Sequence, residues 1–498
     1  MFKLLVKHID VETGGMPIVS LNETFTKKND LHMMDRVLVK TSQNKKIVAA
    51  VDTSEEMISP NEVGLFEDVW KKIETKEGDI VEIIPIGKPI STKFVRKKMD
   101  KEELVKDEIE QIIKDIVDDK LTDVEMAAFV SACYMDGLSL EETEALTRAI
   151  VDSGGRLHLK KKPILDKHCI GGVPGNRTTM IIVPIITSLG LTMPKTSSRA
   201  ITSPAGTADT MEALCKVNFS IKELEGIVNK IGGCIVWGGA INLAAADDKL
   251  IRIRHPLSLD PEGMMMASIL AKKIAVGATH IIFDLPLGEE AKVHYLGEAR
   301  HLEREFKNLA QKFKLNIKTV VTDGNEPIGR GIGPNLEARD VLWLLKNDRK
   351  APMDLREKGV FLTGELLELA GKAASGTGKQ IAEKQLKSGA AYRQMQRIIE
   401  AQGGNPNIKP DDLALGEYTL DYDAERNGVI DVLSNTAIAK IARTAGAPAD
   451  KEAGLYLYKR YGEKVRQGEK IFTIYSKSER NIERVLQLIK EMNPVVIK

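Results

Sequence analysis

DKHCIGGVPGNRTTMIIVPIITSLGL, residues 166–191, sets a glycine-rich loop directly before a long apolar run. Gly171 and Gly172 let the backbone approach a ligand closely, and Lys167 and Arg177 bring positive charge. Thr178 and Thr179 place hydroxyls where a helix could begin, and the free N–H groups of a helix start attract anions. Taken alone, the loop is equally well a glycine turn carrying solvated charges. The apolar run IIVPIITSLGL has strand character, and comparable runs follow as CIVWGG at 234–239, HIIFDLP at 280–286 and IKTVVTDG at 317–324, separated by helical stretches. Strands alternating with helices predict crossover units, a mainly parallel sheet, and ligands bound at the carboxyl ends of the strands.

Shortly downstream lies SSRAITSPAGTADT, residues 197–210. Six of its residues carry a hydroxyl (Ser197, Ser198, Thr202, Ser203, Thr207, Thr210), Arg199 is cationic, and Pro204 and Gly206 exclude both a regular helix and a central strand. A polar surface loop is the commoner fate of such a cluster. Here, however, two loops rich in donors flank one apolar segment, which puts both at the same sheet edge and favours an anion site. Hydrogen bonds to a charged partner contribute roughly 1.5–3 kcal/mol each, so several hydroxyls with Arg199 suffice for a dianion without a metal.

Outward from this core, residues 1–85 alternate short β-type runs (FKLLVKHIDV, RVLVK, KIVAAVDT, DIVEIIPIG) with polar turns and predict a small N-terminal β domain. Residues 86–165 predict a helical domain, completed by helices near 208–250. Val105, Ile109, Ile112 and Ile116 recur at helical spacing there, and capping boxes open the next two helices at Thr122–Glu125 and Ser139–Glu142. Residues 166–415 predict the α/β phosphate-binding domain and 416–498 a C-terminal β-rich α+β domain, with hairpin turns at Gly462 and Gly468. The fold class expected is therefore multidomain α/β.

Composition narrows the function classes. Lys and Arg number 72 against 71 Asp and Glu, which removes the bulk signal for nucleic acid or anionic membrane. No signal-peptide core and no bilayer-length apolar run occur, so a cytoplasmic location is expected. Cys133, Cys169, Cys215 and Cys234 are scattered singly, without metal-ligand spacing, and no metal is expected. In SLDPEGMMMASILAKK, residues 258–273, Asp260 has the pattern of a helix N-cap with Pro261 at the first helical position, and Ser268 and Lys272 fall on one helix face. GKAASGTGK at 371–379 fails the nucleotide-loop spacing because Thr377 follows Gly376 and Gln380 follows Lys379.

KHCIGGVPGN and SSRAITSPAGTADTME together resemble the phosphate loop and signature segment of the thymidine and pyrimidine nucleoside phosphorylases, and GGAINLAAADDK and ASILAKK are similar to further segments of that family. The resemblance runs from about Lys98 to the C-terminus. It implies phosphate contacts at Lys167, Thr179, Ser197 and Thr207 and base contacts at Ser268 and Lys272. Two departures stand out: Cys169 occupies the place of a phosphate-binding serine, and Ile253 that of the pyrimidine-reading arginine. With PKTSSRAITS, WGGA and DPEG, they make the chain resemble the archaeal branch of the family, the AMP phosphorylases.

That branch implies a pentosyltransferase converting AMP and phosphate into adenine and ribose 1,5-bisphosphate, with CMP and UMP as further substrates. Ligand contacts are then expected at Gly172, Ser198, Arg199, Ala200, Ile201, Thr202, Ser203, Thr207, Ser268 and Lys292, with Asp260 as proton donor. No cofactor is expected, since inorganic phosphate is itself a substrate; the partners are the nucleotide, phosphate and further copies of the chain, as a homodimer or larger. A pyrimidine nucleoside phosphorylase is the alternative within the class. A non-catalytic assembly protein is the alternative outside it.

Overall fold

Period-two alternation in the first part of the chain closes six strands into a barrel: β1 (Phe2–Ile9), β2 (Ile18–Asn22), β3 (Arg36–Lys40), β4 (Lys46–Ser54), β5 (Glu62–Phe66) and β6 (Ile80–Ile86), in the order β1-β5-β2-β4-β3-β6. Val19, Leu21, Val37, Val39, Val63, Leu65 and Ile83 fill its interior. Closure pairs β1 with both β5 and β6, so the barrel leaves no strand edge unpaired. Two short helices, Glu23–Lys28 and Glu67–Ile73, interrupt the strands. They are too short to produce a readable helical period, and the first depends on Asn22, whose side chain accepts the N–H groups of Thr24 and Phe25.

The structure is a computed structural model that describes residues 1–200, 203–241 and 245–498. The chain forms two compact units, the first comprising Met1–Gly154 with Ala244–Ala271 and the second Gly155–Leu243 with Lys272–Lys498. Among the described residues no helix is long and apolar enough to cross a membrane.

The helical part of the first unit includes helices Lys106–Val117, Asp123–Asp136 and Leu140–Asp152. Ile109, Ile112 and Ile116 are buried as their spacing requires, whereas Val105 precedes its helix and is 58% exposed. Both capping boxes form: Thr122 and Ser139 accept the N–H groups of Glu125 and Glu142, whose carboxylates accept those of Thr122 and Ser139 in return. Glu142 does more than cap. Its buried carboxylate also accepts the Leu104 N–H at 2.9 Å and two bonds from the buried Lys98 ammonium at 3.0 Å.

In the second unit β7 (Leu165–Cys169), β8 (Met193–Ser197), β9 (Gly233–Trp237), β10 (His280–Leu287) and β11 (Asn316–Asp323) form parallel pairings in two pieces, β11-β10-β7 and β8-β9, which a single bridge from Ile164 to Thr192 adjoins. The apolar run after the glycine loop is not one of these strands. It is a helix, Thr179–Ser188, buried on every side from Thr179 to Thr187. An all-round apolar segment carries no periodicity with which to separate a core helix from a core strand. Pro184 does not separate them either, since it removes an N–H from a helix interior as it would from a central strand.

The C-terminal part adds β12 (Gly331–Ile332), β13 (Tyr418–Asp423), β14 (Gly428–Leu433), β15 (Gly454–Leu457), β16 (Lys464–Val465), β17 (Lys470–Ser476) and β18 (Val495–Ile497). They make two small sheets, β12-β15-β17-β13 and β16-β14-β18. The stretch 456–476 therefore does not form successive hairpins: β15 pairs with β17, and β16 leaves for β14.

Glu142→Ala should destabilise the first unit by about 3–5 kcal/mol, since it leaves the buried Lys98 ammonium with Asp136, 3.5 Å away, in place of its two hydrogen bonds and strands two N–H donors. Urea denaturation of the variant beside Glu142→Gln, which keeps the hydrogen-bond shape, measures the effect.

Candidate phosphate site

β7 places Asp166 and Lys167 on opposite faces because successive strand residues alternate. Lys167 Nζ donates to Thr178 Oγ1 at 3.0 Å and lies 3.2 Å from Asp284 Oδ2 on β10. Asp284 also accepts from Thr322 at 2.6 Å, and Lys358 Nζ lies 3.4 Å away. Burial acts to raise the Asp284 carboxyl, but the ammonium groups of Lys167 and Lys358 outweigh it and hold the group at about 2. On the other face, Lys195 Nζ donates to Asp166 Oδ1 at 3.1 Å and to the Lys167 carbonyl at 2.8 Å, with Lys273 Nζ 2.8 Å from Asp166 Oδ2.

The glycine loop leaves this platform with Gly171 at φ +103° and Gly172 at φ +93°, a region that favours glycine. A Cβ on Gly172 would lie 2.5 Å from the Lys292 backbone nitrogen, so the loop packs directly against that segment. Thr178 stands immediately before the buried helix and Thr179 is its first residue, which aims the helix N-terminus at the loop. Cys169 accepts from Asn176 Nδ2 at 3.3 Å, and burial together with Asp284 keeps its thiol protonated. The position where the resemblance puts serine thus still holds a donor.

Arg177 ties the two loops together. Its guanidinium donates to Thr207 Oγ1 at 2.9 Å and the Ala205 carbonyl at 2.8 Å, and its Nε is 2.5 Å from Glu337, which also accepts from Thr210 at 2.7 Å. In the second loop Asp209 accepts the N–H groups of Ala200 and Gly206 at 2.7 and 2.9 Å. Arg199, expected among the ligand contacts, is bonded to Asp209 at 3.0 Å and Glu212 at 2.6 and 2.9 Å and lies over Trp237. Its charge shapes the loop. Ser203 donates to the Ala205 carbonyl, and the Ser198 carbonyl accepts the Ala208 N–H. Ser197 Oγ, at the end of β8, is buried without a hydrogen-bond partner among the described residues. The expected contacts Ile201 and Thr202 lie outside the described residues.

Asp260 and Ser268 belong to the first unit. Helix Glu262–Ala275 starts one residue later than the sequence pattern suggests: the Pro261 carbonyl accepts the Met265 N–H, so Pro261 takes the place assigned to Asp260. Asp260 is 49% exposed and 3.6 Å from Arg254 Nη1. The fixed φ of proline suits either position, and sequence alone does not separate them. Ser268 is buried and donates to Asp247 at 2.7 Å; Lys272 follows one turn later on the same helix. The GKAASGTGK segment joins helices Met353–Leu369 and Gly378–Lys387 and follows no strand.

Sequence reading missed Asp166, Lys195, Lys273, Asp284, Glu337 and Lys358. The available signal was a charge inside an apolar strand, as in HIIFDLP, where a buried carboxylate demands a cationic partner.

Three family models match the chain: the glycosyl transferase family helical bundle domain over 92–154, the glycosyl transferase family a/b domain over 161–392, and the pyrimidine nucleoside phosphorylase C-terminal domain over 429–495. The AMP phosphorylase of Pyrococcus furiosus is 44% identical over 493 residues, covering 99% of this chain and 97% of that protein. That of Thermococcus kodakarensis is 44% identical over 496 residues, covering 100% and 98%. The chain belongs to the AMP phosphorylase family. In this AMP phosphorylase family member, both donor-rich loops and Lys167, Lys195, Lys273 and Lys358 fall within the a/b domain match. Among solved structures, anthranilate phosphoribosyltransferase from Thermus thermophilus shares the fold, at TM-score 0.53 and 18% identity over 62% of this chain and 98% of that one.

Gly172→Ala is expected to cost roughly 1–3 kcal/mol in backbone strain and to weaken phosphate binding, because the new Cβ displaces the Lys292 segment. Gly171→Ala, where the Cβ meets nothing within 4 Å, carries the strain alone. Denaturation and phosphate titration on both variants separate strain from contact.

Proposed function

We propose that the chain catalyses phosphorolysis of nucleoside 5′-monophosphates, converting AMP and phosphate into adenine and ribose 1,5-bisphosphate, with CMP and UMP as further substrates. The observation that carries this reading is the loop after β7, where buried Lys167, two positive-φ glycines and a helix N-terminus converge. Kinship to AMP phosphorylases along the whole chain supports it.

A phosphate oxygen attacks C1′ as the bond from C1′ to the base nitrogen breaks, and the base leaves with a proton. Charge separation at the sugar favours a site that holds the nucleophile in place beforehand. Lys167, Thr179, Ser197 and the Gly172 backbone are assigned to the attacking phosphate. Ser198, Ala200, Ile201, Thr202, Ser203, Thr207 and Lys292 are assigned to the remaining phosphate and sugar contacts. Arg199 is assigned to the same contacts, held in place by Asp209 and Glu212. Asp260 is assigned as the proton donor and Ser268 and Lys272 as base contacts.

No cofactor enters this scheme, because phosphate supplies both nucleophile and charge. The reading includes a cytoplasmic location and assembly into a homodimer or larger homo-oligomer. A nucleoside phosphorylase would need one phosphate site instead of two, and a non-catalytic assembly protein would have no use for a buried cationic platform.

Incubated with phosphate, the protein should release base from AMP and far less from adenosine, uridine or thymidine; equal or greater turnover of the nucleosides would reject the nucleotide reading. Asp260→Asn should lower turnover by roughly two to four orders of magnitude, the usual contribution of a positioned acid. Because Asn keeps the size and hydrogen-bonding shape of the half-exposed Asp260 side chain, the melting temperature should move little beside the loss of turnover. Turnover near the wild-type value would remove Asp260 from the mechanism.

A further inference from the structure

Around β7, two buried carboxylates are paired with four buried ammonium groups. Asp284 lies 3.2 Å from Lys167 and 3.4 Å from Lys358, while Asp166 lies 3.1 Å from Lys195 and 2.8 Å from Lys273. Both aspartate side chains are fully buried, and those of Lys167, Lys358, Lys195 and Lys273 are 2, 10, 7 and 4% exposed. Water therefore does little to offset the surplus of two positive charges that four charged lysines carry, and either a bound anion or loss of a proton from one lysine relieves it. The surplus equals the charge of a phosphate dianion.

We propose that Lys195 and Lys273 are positioning residues of the phosphate site, fixing Lys167 through its carbonyl and through Asp166 and supplying, with Lys358, the buried charge that a bound phosphate dianion neutralises. This rests on the reading of residues 166–180 as a phosphate loop.

Lys195 is the member whose charge responds to occupancy. Burial lowers its ammonium to about 7, Asp166 opposing and Lys273 adding to the effect. Among the described residues, His168 of β7 and Cys234 of β9 are the further titratable groups beside it, and Lys167 and Lys272 carry charge near His168. His168 stays neutral, pushed well below its ordinary value by burial and by Lys273, Lys195 and Lys167, and burial keeps Cys234 a thiol. Above pH 7 Lys195 is thus largely neutral in the unliganded protein, and an arriving dianion favours its charged form. Binding at pH 8 then takes up a proton; at pH 6, where Lys195 is already charged, this uptake is absent.

The test is calorimetric titration of the full-length chain with inorganic phosphate at pH 8, in two buffers of different ionisation enthalpy. Wild type should take up as much as one proton per phosphate. Lys195→Met should abolish the uptake, Lys273→Met should reduce it by leaving Lys195 charged beforehand, and both should bind phosphate about tenfold more weakly. Each variant leaves one ammonium for one carboxylate, so the melting temperature should hold or rise. A purely structural role predicts the opposite: melting falls while phosphate affinity and proton uptake in the folded variants stay at wild-type values, and that result overturns the proposal. Should Lys195→Met fail to fold, wild type and Lys273→Met decide it. Wild type that binds phosphate without taking up a proton overturns this inference alone, whereas wild type that binds no phosphate overturns the phosphate-loop reading beneath it.

Discussion

Each buried aspartate beside β7 is shared by two lysines, and the geometry of the second unit depends on that sharing. A carboxylate removed from water needs a cation and hydrogen bonds in fixed positions, and one left with no cation at all costs about 3–5 kcal/mol. Asp166 therefore demands that β8 and helix Glu262–Ala275 bring Lys195 and Lys273 to it, while Asp284 makes the same demand of Lys167 on β7 and Lys358 on helix Met353–Leu369. Strand and helix positions that hydrophobic packing would leave free to slide are pinned by charge. The glycine loop starts from this pinned platform, so its backbone direction is settled before any ligand arrives.

A second tier of ion pairs shapes the loops themselves. Arg177 reaches from the first loop to Thr207, Ala205 and Glu337, and Arg199 closes the second loop on Asp209 and Glu212. Hydroxyls that look like ligand donors in a string of letters are partly engaged in this bracing: Thr210 serves Glu337 and Ser203 serves the Ala205 carbonyl. Donors held in advance lose little entropy when an anion binds, which is how a loop without metal can present phosphate to a reacting carbon.

How far the letters alone reach depends on the range of the interaction that decides each feature. Alternation in FKLLVKHI, RVLVK and IVEIIPI is local, and those segments are barrel strands; the boxes at Thr122–Glu125 and Ser139–Glu142 span three residues and form as expected. The short helices Glu23–Lys28 and Glu67–Ile73 escaped because one or two turns leave no period to detect. The helix Thr179–Ser188 escaped because complete burial erases its amphipathic pattern.

The sequence by itself determined the succession of β, helical, α/β and β-rich segments, the two donor-rich loops and the resemblance they carry, since each rests on neighbours along the chain. Only the tertiary structure decided that Arg199 braces its loop, that Asp260 lies outside the helix cap, and that four lysines converge on two aspartates. Asp166 meets Lys273, and Lys167 meets Asp284, across more than a hundred residues of chain. Burial sets the protonation of such groups, and burial is a property of the folded interior that no local window of sequence contains.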